Sequence, residues 1–194
     1  MARPAKFGNE ELLDAARDAV LAHGSTASVA QAAAMIGAPT GSVYHRFPSR
    51  DHLMIALWLR SIRRFHEGYL AAAHQPDVRA ALRACAVHIP RYCRAHPADA
   101  RAMMLFRHAE LVQAAPADLR AEVATVNDQV WATLDRLAEQ RYGRRDARLV
   151  TLVRAAVVQA PYGLVRPHIG AAVPDVLDEI VVAAAEGILA LGDR

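Results

Sequence analysis

Apolar positions along the 194-residue chain recur at steps of three and four almost throughout, which is the spacing of one helix face, and no segment shows the alternation of a strand. The pattern predicts an all-α fold of about nine helices. The first, over 9–23, sets Leu12, Leu13, Ala16, Ala19 and Val20 on one stripe, with Asn9 able to cap it, Glu10 and Glu11 at its positive end and Gly24 stopping it. The second, over 28–36, opens on Ser28-Val29-Ala30-Gln31, which has the form of a capping box, and closes at Gly37. A third, over 39–46, tolerates Pro39 in its first turn. Pro48 disfavours helical geometry at Phe47, and Ser49 can cap a long fourth helix reaching about residue 73. Five more are expected over 77–95, 98–114, 117–141, 146–169 and 174–191. In 117–141 the positions Leu119, Val123, Val126, Val130, Leu134 and Leu137 make the clearest stripe, and Pro161 with Gly163 should kink 146–169.

The helix over 39–46 is too short to stand alone, because isolated helices below about 12 residues are marginal in water. Two short helices joined by a tight glycine turn, the second rich in small and polar residues and closed by Tyr44 and Phe47, have the form of a helix-turn-helix. In that form the second helix is a reading head for the DNA major groove. Thr40 and Ser42 offer hydroxyls where helix N–H groups favour phosphate, Gly41 allows close backbone approach, and His45 and Arg46 add donors. Arg50 stands at the start of the next helix, while Val43 and Phe47, four apart, should anchor the segment to its neighbours. Tyr44 is expected to be a core ring with its hydroxyl at phosphate.

Charge sharpens this reading. The formal net charge is +3, and residues 1–66 hold eight Lys/Arg against five Asp/Glu, whereas the remainder carries fifteen of each. The whole basic excess therefore sits beside the proposed reading head. Two cysteines, Cys85 and Cys93, are too few for a disulfide framework, which points to a reducing compartment. The start, MARPAKFGNEELL, lacks a signal-peptide core, and Arg154, Gln159 and Pro161 interrupt the most apolar stretch, 149–165, short of the roughly 20 residues of a membrane span. A cytoplasmic protein without a membrane partner is expected.

Residues 9 to about 58 resemble the DNA-binding domain of the TetR (tetracycline-repressor) family of bacterial regulators. The resemblance rests on Ser28 to Ala33, Gly37, Gly41, Tyr44, Phe47, Pro48, Ser49, Arg50 and Leu53 in order. It implies that Ser28 and Tyr44 bond phosphates, that Arg50 does so from the fourth helix, and that Thr40, Gly41, Ser42 and His45 face the groove. Pro39 and Thr40 stand where the family commonly has Ser and Lys. Ala32 replaces a larger aliphatic, a space Met35 is expected to fill. The family architecture implies residues 1–48 as a DNA-binding domain, 49–73 as a connecting helix and 74–194 as a ligand-binding and dimerisation domain. It also implies a homodimer through the last two helices, where Ala183, Ala184, Ala185, Gly187 and Ala190 suit close packing, and a cavity among the fifth to eighth helices. Candidate cavity residues are His88, Tyr92, Met103, Arg107, Asn127, Trp131, Gln159 and Tyr162. The function implied is a ligand-responsive regulator, a repressor released from a near-palindromic operator by a small molecule, with no cofactor.

Other readings are weaker. Cys85, His88 and Cys93, with His96 nearby, suggest a redox- or metal-responsive regulator, but they span a wide arc of one helix and buried inert cysteines are commoner. Arg60, Arg63 and Arg64 are expected on a solvated face. There is no P-loop, Rossmann fingerprint, H-E-x-x-H or G-x-S-x-G, and histidines and carboxylates are scattered without a convincing nucleophile and base, so an enzyme is not expected.

Overall fold

Helix α1 (Asn9–His23) forms over the expected residues and buries Leu12, Leu13, Ala15, Ala16, Ala19 and Val20. Its N-cap is Gly8, without a side-chain cap, so Asn9 is free for another role. The computed structural model describes residues 7–193; residues 1–6, where the first expected domain starts, and residue 194, where the last ends, lie outside the described residues. A short 3-10 turn (Gly24–Thr26) leads to α2 (Val29–Met35), then α3 (Thr40–Tyr44) and the long α4 (Arg50–Ala72).

The chain continues through α5 (Val78–Ala95), α6 (Pro97–Met103), α7 (His108–Ala114), α8 (Arg120–Thr125), α9 (Asp128–Tyr142), α10 (Ala147–Arg154), α11 (Ala160–Val165) and α12 (Leu177–Leu189). No strand occurs among the described residues, as an all-α fold requires. More breaks appear than periodicity shows. The expected helix over 98–114 divides after Met103, where the Trp58 indole N–H donates to the Met103 carbonyl at 3.1 Å and satisfies one of the groups a helix end leaves open. The expected helix over 117–141 divides at residues 126–127. There the His108 ring bonds the Val123 carbonyl at 2.8 Å, and His66 bonds the backbone of Val126. Between α10 and α11 the helix widens into a π turn (Ala155–Gln159) immediately before Pro161.

Packing groups the described residues into two units. The first runs up to Ile62 and includes Ala98–Thr125; the second contains Arg63–Pro97 and the residues from Val126 onward. The expected bounds at 48 and 73 follow the chain alone, whereas Leu105 and Phe106 pack against the N-terminal core of Leu12, Val20, Val29, Val43, Phe47 and Leu57 and carry their segment into the first unit. Helix α4 supplies residues to both units.

In the first unit Arg60 is not on a solvated face. It is 7% exposed and bonds the Glu10 carbonyl at 3.2 Å and carboxylate at 3.1 Å, with Asp14 a further 3.1 Å away, so it ties α4 to α1. Met35 is 48% exposed and leaves the space beside Ala32 to other side chains. In the second unit Phe65, Tyr69, His88, Tyr92 and His96 form a continuous aromatic cluster, with ring centroids 4.7 Å apart between Tyr92 and His96 and 5.0 Å between Phe65 and His88. Helix α9 ends at Gly143, whose φ of 70° is the left-handed conformation, and Asp146 caps α10.

Candidate nucleic-acid interface

The local chemistry of residues 28–47 explains how so short a helix is held. The Ser28 hydroxyl accepts from the Gln31 N–H at 3.1 Å while the Gln31 side chain accepts from the Ser28 N–H at 2.8 Å, completing the capping box. Helix α2 ends in a Schellman turn: the N–H of Gly37, at φ 63°, bonds the Ala34 carbonyl and that of Ala38 bonds Ala33. This aims the chain directly into α3. Pro39 stands outside α3 as its N-cap rather than inside its first turn. Past Tyr44 the turn is closed by the Phe47 N–H on the Val43 carbonyl at 2.8 Å, and both side chains are buried as expected.

Of α3 only Val43 is buried. Gly41, Tyr44 and His45 are exposed and Thr40 and Ser42 are half-buried, so the four expected groove-side residues and Tyr44 share an open surface. Tyr44 is 47% exposed, an outward ring rather than a core one. Gly41, Ser42 and His45 line an open groove of about 740 Å³ with Phe7, Asn9, Pro39 and Arg46. Here the sequence missed one relationship. Arg46 donates to the Asn9 side-chain oxygen at 2.5 Å and so fixes the end of α3 against the start of α1. Nothing in the local pattern marks this pair, because its partners are 37 positions apart.

Arg50 is turned inward. Its Nε donates to the Ala27 carbonyl at 2.8 Å, one Nη donates to the Ser25 carbonyl, and the other lies 3.5 Å from the Asp51 carboxylate. The guanidinium thus braces the turn that presents Ser28. Two residues on, the His52 ring meets the Asp118 carboxylate at 2.8 Å, a contact that holds the Asp118 carboxyl below its ordinary range.

The eight candidate cavity residues are divided between the two units. Met103 and Arg107 belong to the first unit, where Arg107 is largely exposed. In the second unit His88 and Tyr92 meet in the aromatic cluster, and the His88 Nε2 lies 3.2 Å from the Phe65 carbonyl. Trp131 instead lies beneath Arg154, 5.0 Å from its ring, while Asn127 is half-buried and Gln159 and Tyr162 are exposed. Burial pushes Cys85 up to about 12 and Cys93 up to about 11 and lowers His66 to about 4. Both thiols are therefore held protonated, and no three His, Cys, Asp or Glu among the described residues are placed to hold a metal ion.

No protein-family model matches the chain, and neither does any curated protein sequence. Solved structures do. A transcriptional regulator from Rhodococcus sp. Rha1 superposes with a TM-score of 0.75 at 21% identity, covering 97% of this chain and 99% of that one. The TetR family regulator PfmR from Thermus thermophilus gives 0.70 at 18% identity over 92% and 97% of the two chains. The regulator FadR from Bacillus subtilis, solved in complex with stearoyl-CoA, gives 0.60 at 13% identity over 95% and 97%. The chain has the TetR-family fold. Of the residues that carry the sequence resemblance, Gly41 and Tyr44 are in α3, Gly37 and Phe47 are in the turns on either side of it, and Arg50 opens α4. No helix among the described residues is long and apolar enough to cross a membrane.

Proposed function

We propose that the protein is a homodimeric, ligand-responsive transcriptional regulator of the TetR type, acting as a repressor in the cytoplasm, and that it is not an enzyme. The observation that carries this reading is α3. A five-residue helix is aimed by Gly37 and anchored by Val43 and Phe47, while Gly41, Tyr44 and His45 face outward. In the proposal Thr40, Gly41, Ser42 and His45 meet base edges, Ser28 and Tyr44 bond phosphates, and Arg50 acts by holding the turn before Ser28.

The second copy is supported by α12. Its buried side holds Leu177, Val181, Ala185 and Leu189, yet Ile180, Ala183, Gly187 and Leu191, at steps of three and four on the opposite side, are also apolar and exposed. An exposed apolar stripe on a helix whose other side is already buried, with Glu179 and Glu186 exposed beside it, suits cover by a second copy. Exposed Tyr162 on α11 adds to that surface. Two copies would place their α3 helices in successive major grooves, about 34 to 36 Å apart, on a near-palindromic operator.

A small-molecule effector in the second unit would act through α4, which supplies residues to both units. The similar fold of a regulator that binds stearoyl-CoA supports ligand response as the mode of control. A coupling of about 1 to 3 kcal/mol would alter operator affinity some 5- to 150-fold. The thiols of Cys85 and Cys93, buried and protonated, favour this reading over redox sensing. Selection of bound duplexes from random DNA tests the central claim.

A further inference from the structure

Within the second unit a groove of about 300 Å³ lies among the first turns of α5, the end of α9 and the last turns of α12. Val182, Ala185 and Leu189 form its apolar floor, and Arg79, Arg83 and Arg141 stand around it. Glu186 and Asp193 are at its rim, and Asp77 caps the start of α5.

Two of these arginines are placed against local electrostatic preference. Arg79 is the second residue of α5, where the unpaired N–H groups of an 18-residue helix already concentrate positive charge. Arg83 follows it at i+4, where like charges oppose each other on the same helix face. Their carboxylate partners do not offset this. Arg79 has no ion pair among the described residues, and Arg83 reaches Glu186 only at 4.0 Å, with both side chains about two-thirds exposed and so weakly coupled. Arg141 is the exception, bound to Asp193 at 2.6 Å and lying 4.8 Å from the Tyr142 ring centre, which makes it a fixed wall of the groove. Departures from local preference without a compensating contact concentrate at functional sites.

We propose that this groove binds an amphipathic anion, its apolar chain on Val182, Ala185 and Leu189 and its carboxylate or phosphate between Arg79 and Arg83. The volume is at the lower end of the range for small-molecule sites, which suits a short chain rather than a long one. A paired guanidinium set recognises either oxyanion, and an uncharged or cationic analogue of the same chain would leave the arginines unmatched. The site needs neither DNA nor the regulator reading for its occupancy, so its failure and the failure of that reading are separate results.

The test is calorimetric titration of the full chain with octanoate, octyl phosphate, octanol and octyltrimethylammonium. Arg79→Ala/Arg83→Ala removes the exposed charges, and Arg79→Glu/Arg83→Glu reverses them; unfolding curves establish that both variants fold. The expected result is saturable binding of at least one anion, one per chain, with tenfold or greater weakening in both folded variants and no binding of the cation. Preference for octanoate or for octyl phosphate then identifies the headgroup. No saturable binding of either anion, unchanged affinity in either folded variant, or equal binding of octanol or the cation overturns the proposal.

Discussion

The Tyr69 hydroxyl donates to the Val157 carbonyl at 3.0 Å, and Val157 is the residue whose helical donor Pro161 removes. The proline lacks the N–H that would close this turn, and a side chain 88 positions away replaces it. Tyr69 is buried, so its hydroxyl and the carbonyl have no access to bulk water. Tyr69→Phe keeps the ring in the aromatic cluster but leaves the carbonyl unpaired, and should cost about 1 to 3 kcal/mol in denaturant unfolding. A loss below about 0.5 kcal/mol would show that the carbonyl finds another donor.

Gly68→Ala should also destabilise, against the usual direction. In an open helix interior alanine is favoured over glycine by roughly 1 kcal/mol. At Gly68, however, a Cβ would lie 2.5 Å from His88 Cε1, closer than packing allows. The ring must shift and loses its bond to the Phe65 carbonyl, so a net loss of about 1 to 3 kcal/mol is expected. Equal or greater stability by chemical denaturation would mean that His88 moves without cost.

Arg50→Ala separates bracing from phosphate contact. A lost phosphate contact lowers the steepness of log K against log salt by about 0.9, whereas a lost brace weakens affinity at unchanged slope. Because the Arg50 guanidinium is bonded to Ser25 and Ala27, affinity should fall with the slope retained. Titrations of labelled duplex at several salt concentrations give the answer, and a slope reduced by a full unit would return Arg50 to the DNA contacts.

His66 makes stability depend on pH above the carboxylate range. Its folded pKa, about 4, lies below the unfolded value near 6.5, so the unfolded chain binds the extra proton between them. The associated stability is complete above pH 6.5 and declines as pH falls toward 4, at up to about 1.4 kcal/mol per pH unit. Burial lowers His88 as well and adds in the same direction. His66→Gln keeps a donor for the Val126 backbone without titrating, so unfolding midpoints measured between pH 7 and 5 should vary less than in the parent. An identical profile would contradict a neutral, half-buried His66.

Helix existence was legible wherever local chemistry decides it. The capping box at Ser28, the turn glycine at Gly37 and the stripe from Leu12 to Val20 all act within a few residues, and the structure bears them out. The breaks were legible only where proline or glycine marked them. Met103 ends its helix because Trp58 meets its carbonyl, and Arg60 is buried because Glu10 and Asp14 face it from α1. Arg50 follows the same rule. Its position is conspicuous in sequence, but its direction depends on two carbonyls more than twenty residues earlier. Cavity residues were the least legible, because an apolar helical pattern describes a filled core and a lined cavity alike.

The most direct measurement is selection of bound sequences from a random duplex pool with the purified full chain at fixed, near-physiological salt. A repressor-like dimer predicts a two-fold-symmetric consensus whose half-sites lie one helical turn apart, and substitution of His45 should change the preferred bases within each half-site. Recovery of sequences with no enrichment over non-specific binding, using protein shown by mass analysis to carry no bound small molecule, would contradict the assignment of α3 as a reading head.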